Sequence, residues 1–214
     1  MMIMALLMAF VLNSPKSIDY QLHSDTNPVD YGEWKLVKNT GGVQTFFRWT
    51  RDSKGTSLRE RKGVMTVNCS VQDAVKLLTD AGSTGKWMSG ISENYNIARI
   101  SQTEWYTYTL FSIPWPFSKR DLVSLNRMAS DPSRGTVSIA IACQDRYVPL
   151  KPGITRLTDY HANWVITKLG DKTITISFSA MSSAPPVFPR PIQDPVIEKI
   201  FHNNLVRLRE TLST

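Results

Sequence analysis

What most constrains this chain is where its hydrophobic period changes. Over most of residues 31–181, apolar side chains recur at every second position in short runs separated by Gly, Asp, Asn and Pro. That is the signature of antiparallel strands with one buried face. The pattern breaks twice. Ser70-Val71-Gln72-Asp73 has the form of a helix start, with Ser70 as N-cap and Asp73 at the third helical position. Val71, Ala74, Val75, Leu77 and Leu78 follow at helical spacing, and Ala81-Gly82 ends the segment. Near the C-terminus, Asp194-Pro195 offers an N-cap and a first-turn proline. From there Val196, Ile197, Ile200, Phe201, Leu205, Leu208 and Leu212 share one helical face, with His202 on the polar side.

Nine strands are expected: Trp34–Val37, Val43–Thr50, Ser57–Asn68, Ile91–Ile100, Glu104–Phe111, Asp121–Ala129, Thr136–Cys143, Thr155–Lys168 and Thr173–Met181. A short helical turn carries Lys86-Trp87-Met88. The predicted fold class is α+β, a curved antiparallel sheet of about nine strands wrapped around the helix Pro195–Leu212. A curved sheet gripping one helix leaves space between them, so a pocket is expected there.

A chain of 214 residues suits one domain of ordinary size, and 42% hydrophobic with 20% charged residues suits a normal core. The domain is expected over residues 31–214, after a polar linker at 15–30. Residues 1–14 open with MMIMALLMAFVL, too short an apolar run to span a bilayer but suited to the h-region of a signal peptide. No Lys or Arg precedes that run and no A-x-A site follows it. The expected location is periplasmic or extracellular, with the cytoplasm as the alternative. Cys69 and Cys143 have no metal-ligand spacing and read as small buried residues, with a disulfide open to them on export. The net charge of +7 is spread widely, densest at Arg59, Arg61 and Lys62. It suits transient contact with an anionic membrane surface; no nucleic-acid-binding signature is present, and a monomer is expected.

Several short motifs, in order, resemble the START (steroidogenic acute regulatory protein-related lipid transfer) domain. They are Trp34-Lys35-Leu36 with Gly42-Val43, then Arg59-Glu60, then Ala74-Val75-Lys76-Leu77-Leu78-Thr79-Asp80 leading to Lys86-Trp87. The most specific is Ile113-Pro114-Trp115-Pro116-Phe117-Ser118-Lys119-Arg120-Asp121-Leu122-Val123, followed by Thr155-Arg156 and Trp164-Val165-Ile166. The likeness covers residues 31–212 and is greatest to exported bacterial members. It implies a helix-grip fold, a lipid cavity between sheet and C-terminal helix, no cofactor, and a loop over the cavity at Ser112–Lys119. Sterol-binding members carry a buried arginine where this chain has Asn126, and an acidic partner at the position of Thr107. Neutral polar groups thus replace the ion pair.

Resemblance and alternation together give the candidate lipid-binding residues. Trp87 lies on the short helical turn; Trp105, Thr107, Thr109 and Phe111 share one face of a strand; Ile113, Trp115 and Phe117 lie in the loop. If Asn126 points inward, Leu122 and Ser124 do too, and Ile174, Ile176 and Phe178 join them. The last helix contributes Ile197, Ile200, Phe201, Asn204, Leu205 and Leu208. Asn204 lies within the apolar face and must bond a backbone group, a water or a ligand. Arg120-Asp121 reads better as a loop anchor than as a headgroup site, and Trp115 and Phe117 suit a lid, a membrane contact or the core. Asp159 and His161 share a strand face, but no nucleophile motif accompanies them, so a structural pair is the better reading. The expected function is non-catalytic binding, with transfer, of a lipid or other hydrophobic molecule. The alternatives are an aromatase/cyclase-type enzyme of the same fold and a quinone- or isoprenoid-binding protein.

Overall fold

The computed structural model of the protein describes residues 31–51, 55–112, 119–182, 186 and 188–213. A meander of β1 (Lys35–Thr40), β2 (Val43–Arg51) and β3 (Ser57–Val67) comes first. Then α1 (Val71–Thr79), a 3-10 turn (Ala81–Ser83) and α2 (Thr84–Trp87) carry the chain away from the sheet. It returns as β4 (Ile91–Arg99), β5 (Glu104–Phe111), β6 (Arg120–Asp131), β7 (Thr136–Cys143), β8 (Thr155–Arg156), β9 (Tyr160–Gly170) and β10 (Thr173–Ser182), and ends in α3 (Arg190–Leu212). All ten strands form one sheet, in the order β1-β2-β3-β10-β9-β7-β6-β5-β4, with β8 beside β6. Every pairing is antiparallel except that of β8 with β6. Because β3 lies inside the sheet and β4 at its far edge, the link between them must cross the concave face. The α1–α2 segment makes that crossing.

Local chemistry starts α1 as its sequence suggests. The Ser70 hydroxyl accepts from the Asp73 amide (3.1 Å) and donates to the Asp73 carboxylate (2.6 Å). The expected strands are present with ends shifted by up to three residues, save one. Thr155–Lys168 is not a single strand: β8 pairs with β6 and β9 with β7, so the chain keeps its direction but moves one place along the sheet at 157–159. The segment ahead of β9 folds over the outer face of β5 and β6. There Tyr108, Leu110 and Val123 form a small second core with Ile97, Val148 and Ile154. Arg156 pins it through a bidentate pair to Asp121 (2.7 and 2.9 Å) and bonds to the carbonyls of Asp145, Val148 and Pro149. Asp121 is therefore the loop anchor expected of it.

The last helix departs from expectation in start and in face. It begins at Arg190 with Pro191 in its first turn, and Pro195 lies inside it. Proline there removes the N–H that would bond the Pro191 carbonyl, at a cost of up to about 3 kcal/mol. Asp194 is not a cap. It is buried, and its carboxylate is held by Arg59 and by Arg61 (3.2 Å), while Glu198 takes the other branch of Arg59. These pairs tie the early turns of α3 to β3. The inward face is consequently polar at its start and apolar further on, through Leu205, Leu208 and Leu212. Val196, expected to be buried, is 41% exposed. His202, expected on the polar face, is 2% exposed and bonds the Thr40 hydroxyl (3.0 Å).

At Gly63 α3 comes close against the sheet. A Cβ at that position would fall 2.1 Å from Leu205 Cδ1. Opposite Gly63 on β10, Phe178 stacks between Trp164 (4.0 Å) and Phe201 (5.8 Å). The main core, Ile166, Ile174, Ile176 and Leu208 among its members, thus lies between α3 and the β2-β3-β10-β9 half of the sheet. Cys69 and Cys143 are both free thiols.

Candidate functional site

The other half of the concave face is not filled. A cavity of about 110 Å³ lies between the α1–α2 segment and strands β4, β5, β6, β7 and β9. Strand alternation determines which side chains reach it. Trp105, Thr107, Thr109 and Phe111 of β5 line it, as do Leu122, Ser124 and Asn126 of β6, while Tyr106, Tyr108, Asp121 and Val123 point to the opposite face. Phe178 of β10 and Trp87 of α2 complete the wall from the core side. Trp87 stands edge-on to Trp164 with ring centres 5.9 Å apart.

One flank of the cavity is apolar: Leu78, Met88, Ile91, Ile139 and Ile141 accompany the aromatic rings. The other is a chain of neutral hydrogen bonds. The Asn126 amide nitrogen donates to Thr107 Oγ1 (3.0 Å) and to the Trp105 carbonyl (3.2 Å), and the Thr107 hydroxyl donates to Asn96 Oδ1 (3.3 Å). Thr109 donates to Asn94 Oδ1 (2.9 Å), whose own amide reaches Thr84 Oγ1 (2.7 Å) and the Ala81 carbonyl (3.2 Å). Tyr160 also lines the cavity, and burial pushes its phenol well above the usual tyrosine range. No Asp, Glu, Lys, Arg or His belongs to the described wall, and the described residues contain no cluster suited to a metal ion.

Placement separates the expected site residues into groups. Trp87, Trp105, Thr107, Thr109, Phe111, Asn126 and Phe178 are brought together at the cavity. Ile174 and Ile176 face the same way but are fully buried in the core, where Leu205 and Leu208 join them. Ile197 and Ile200 are half-buried, and Phe201 packs on Phe178. None of these α3 residues contributes to the described cavity wall, because α3 packs over β2 and β3 rather than over β4 to β7. Asn204 is satisfied by the Ser89 amide (3.0 Å) and hydroxyl (2.7 Å), which ties α3 to the turn after α2. Ile113, Trp115 and Phe117 lie outside the described residues. The Asp159–His161 pair (3.2 Å) is about half exposed, away from the cavity.

Apart from Trp87, the wall contributed by α1–α2 and β4 was not foreseen. Leu78 lies on an amphipathic helix and reads as ordinary core, and nothing in the sequence marks Asn94 or Asn96 as facing a cavity rather than solvent. Tyr160 carried a signal: it is two residues from Ala162 and four from Trp164, on the same face of one strand.

No family model matches the chain. An uncharacterized protein of Pseudomonas aeruginosa is 24% identical over 146 residues, covering 68% of this chain and 70% of that protein. Among solved structures, a STAR-related lipid transfer protein from Xanthomonas axonopodis superposes with a TM-score of 0.74 at 24% identity, covering 85% of this chain and 99% of that one. Human StAR-related lipid transfer protein 5 gives 0.70 at 18% identity, over 84% of this chain and 86% of its own. Human STARD10 gives 0.69 at 17% identity, over 83% and 71%. The chain therefore has the helix-grip fold of the START domains, as its motifs suggested.

Proposed function

We propose that the protein binds one lipid-like hydrophobic molecule in this cavity and does not convert it. The observation that carries this reading is the cavity itself. Protein interiors are packed to near-crystalline density. A space left open in this setting, with aromatic and aliphatic side chains on one flank and a few fixed polar groups on the other, suits a ligand. The fold, shared with proteins described as lipid transfer proteins, supports the same reading.

The described wall carries no carboxylate, imidazole or amine, which favours binding over aromatase/cyclase-type chemistry. Tyr160 is the one titratable group there, and its raised pKa keeps it protonated. In this reading Trp87, Trp105, Thr107, Thr109, Phe111, Asn126 and Phe178 contact the ligand. The basic net charge brings the protein to anionic membranes as donor or acceptor, and residues 1–14 direct its export. The test is to incubate the protein with vesicles of mixed neutral and anionic lipids, separate it by gel filtration and identify what it carries away by mass spectrometry. Recovery of a lipid in about molar proportion supports binding. Recovery of a chemically altered lipid would replace it with the enzyme reading.

A further inference from the structure

Strand alternation divides the side chains of β2 and β3 between two environments. Thr45, Phe47 and Trp49 pair with Gly63, Arg61 and Arg59 on the side that meets α3. On the opposite, convex side, Phe46 pairs with Lys62 and Arg48 with Glu60. Leu36 of the edge strand β1 pairs with Phe46 and extends that row. The chain ahead of β1 lays two more rings over it. The Arg48 guanidinium lies 4.1 Å from the centre of the Tyr31 ring and 4.4 Å from that of Trp34. The Lys62 ammonium lies 4.3 Å from the centre of the Trp34 ring and 5.3 Å from that of Phe46. Rings and cations thus alternate across the face.

The charges there do not balance. Glu60 is bonded to Arg48 at 2.6 Å. Burial and then Arg48 lower the pKa of Lys62, with Glu60 opposing them, so an anion arriving from outside would stabilise its charge. Lys35 and Lys38 are exposed on β1, and Glu33 is the other carboxylate of this edge among the described residues. Beside these cations, Leu36 is 58% exposed and Tyr31 46%. A polyanion alone would match the cations and leave Leu36 in water. An anionic phospholipid surface matches both. Its potential attracts Lys and Arg, its headgroup level suits Trp and Tyr rings, and its acyl boundary takes an aliphatic side chain. We propose that this convex face of β1, β2 and β3, centred on Trp34 and Lys62, is where the protein docks on anionic membranes. The inference rests on the membrane approach in the reading above and gives it a surface. That surface lies across the sheet from α3 and the cavity, so docking needs no ligand in the cavity.

The test is co-sedimentation of the full chain with vesicles of phosphatidylcholine and phosphatidylglycerol in equal parts, against vesicles of phosphatidylcholine alone, at about 0.1 M salt. The protein should bind the anionic vesicles and bind the neutral ones weakly. Lys62→Gln should weaken binding about fivefold, the loss of one cation at an anionic surface. Leu36→Glu, at an exposed position, should weaken it by about tenfold or more, since it removes the aliphatic group and adds a repelled charge. Lys76→Gln removes the same charge from the exposed side of α1 and should change binding less than twofold. Thermal melting checks that each variant folds. As a second reading, the fluorescence difference between the protein and Trp34→Phe should shift to shorter wavelength on anionic vesicles. Equal losses from Lys76→Gln and Lys62→Gln, with Leu36→Glu unchanged, would show attraction by net charge and overturn the docking face. A dimer in sedimentation that Leu36→Glu splits would give this face to a second copy and overturn it too. If the protein ignores anionic vesicles, the membrane approach fails with it, while binding in the cavity stands on its own test.

Discussion

Alanine in place of Gly63 would measure how closely the helix grips the sheet. The new methyl carbon would fall 2.1 Å from Leu205 Cδ1 and 3.6 Å from Phe201 Cε1. Leu205 is 3% exposed, so it has little room to turn aside. Forcing a methyl into a packed core costs about 1–3 kcal/mol. The reduced freedom of the unfolded chain offsets about 0.4–1 kcal/mol of that. Gly63→Ala should therefore lower stability by about 0.5–2 kcal/mol, seen as a lower urea midpoint at constant slope. Leu205→Ala alone should cost about 2–5 kcal/mol through the hole it leaves. In the double variant the methyl introduced by Gly63→Ala occupies part of that hole, so the combined loss should fall short of the sum by about 1 kcal/mol or more. A Gly63→Ala protein with the normal midpoint, or strictly additive losses, would show that α3 does not meet β3 at this point.

Other perturbations probe separate features. Asp121→Asn leaves Arg156 buried without its counter-charge and should cost about 3–5 kcal/mol in denaturant melts. Asp121→Leu combined with Arg156→Met should cost less than that single change. Pro195→Ala restores a main-chain donor at an exposed position inside α3, and should raise the urea midpoint by an amount equivalent to about 1–3 kcal/mol. His202 has its pKa lowered, first by burial and then by Lys38, so the folded protein favours the neutral ring. Its contribution is present above the unfolded-state value of about 6.5 and is lost as pH falls from there through the folded pKa, at no more than about 1.4 kcal/mol per pH unit. His202→Gln should flatten that part of a stability–pH profile measured by chemical denaturation.

The sheet was legible because strand alternation is a local pattern. Once Asn126 is turned inward, the register of β6 follows, and the pairing of Asn126 with Trp105 sets β5 as well. The start of α3 was not legible, because Asp194-Pro195 satisfies every local rule for a helix N-terminus. What overrides those rules is a contact with Arg59 and Arg61, more than 130 residues away in the chain. The same contact explains why the inward face of α3 begins with a carboxylate and why Val196 lies outside it. Asn204 was recognisable as an amide needing a partner, but Ser89 as that partner depends on how α2 meets α3. The position of the cavity depends on strand order. Only when β4 is known to lie at the far edge does it follow that α1 and α2, rather than α3, roof the space above β5 and β6.

The most direct test of the account is native mass spectrometry of the protein purified without detergent, before and after exposure to lipid vesicles. The expected result is one added mass per protein molecule, released on denaturation. It should be reduced or absent in a folded Ser124→Phe variant, whose added ring enters the cavity from β6. If the protein carries only its own mass under both conditions, or if Ser124→Phe retains the adduct unchanged, the cavity is not a ligand site and the central claim fails.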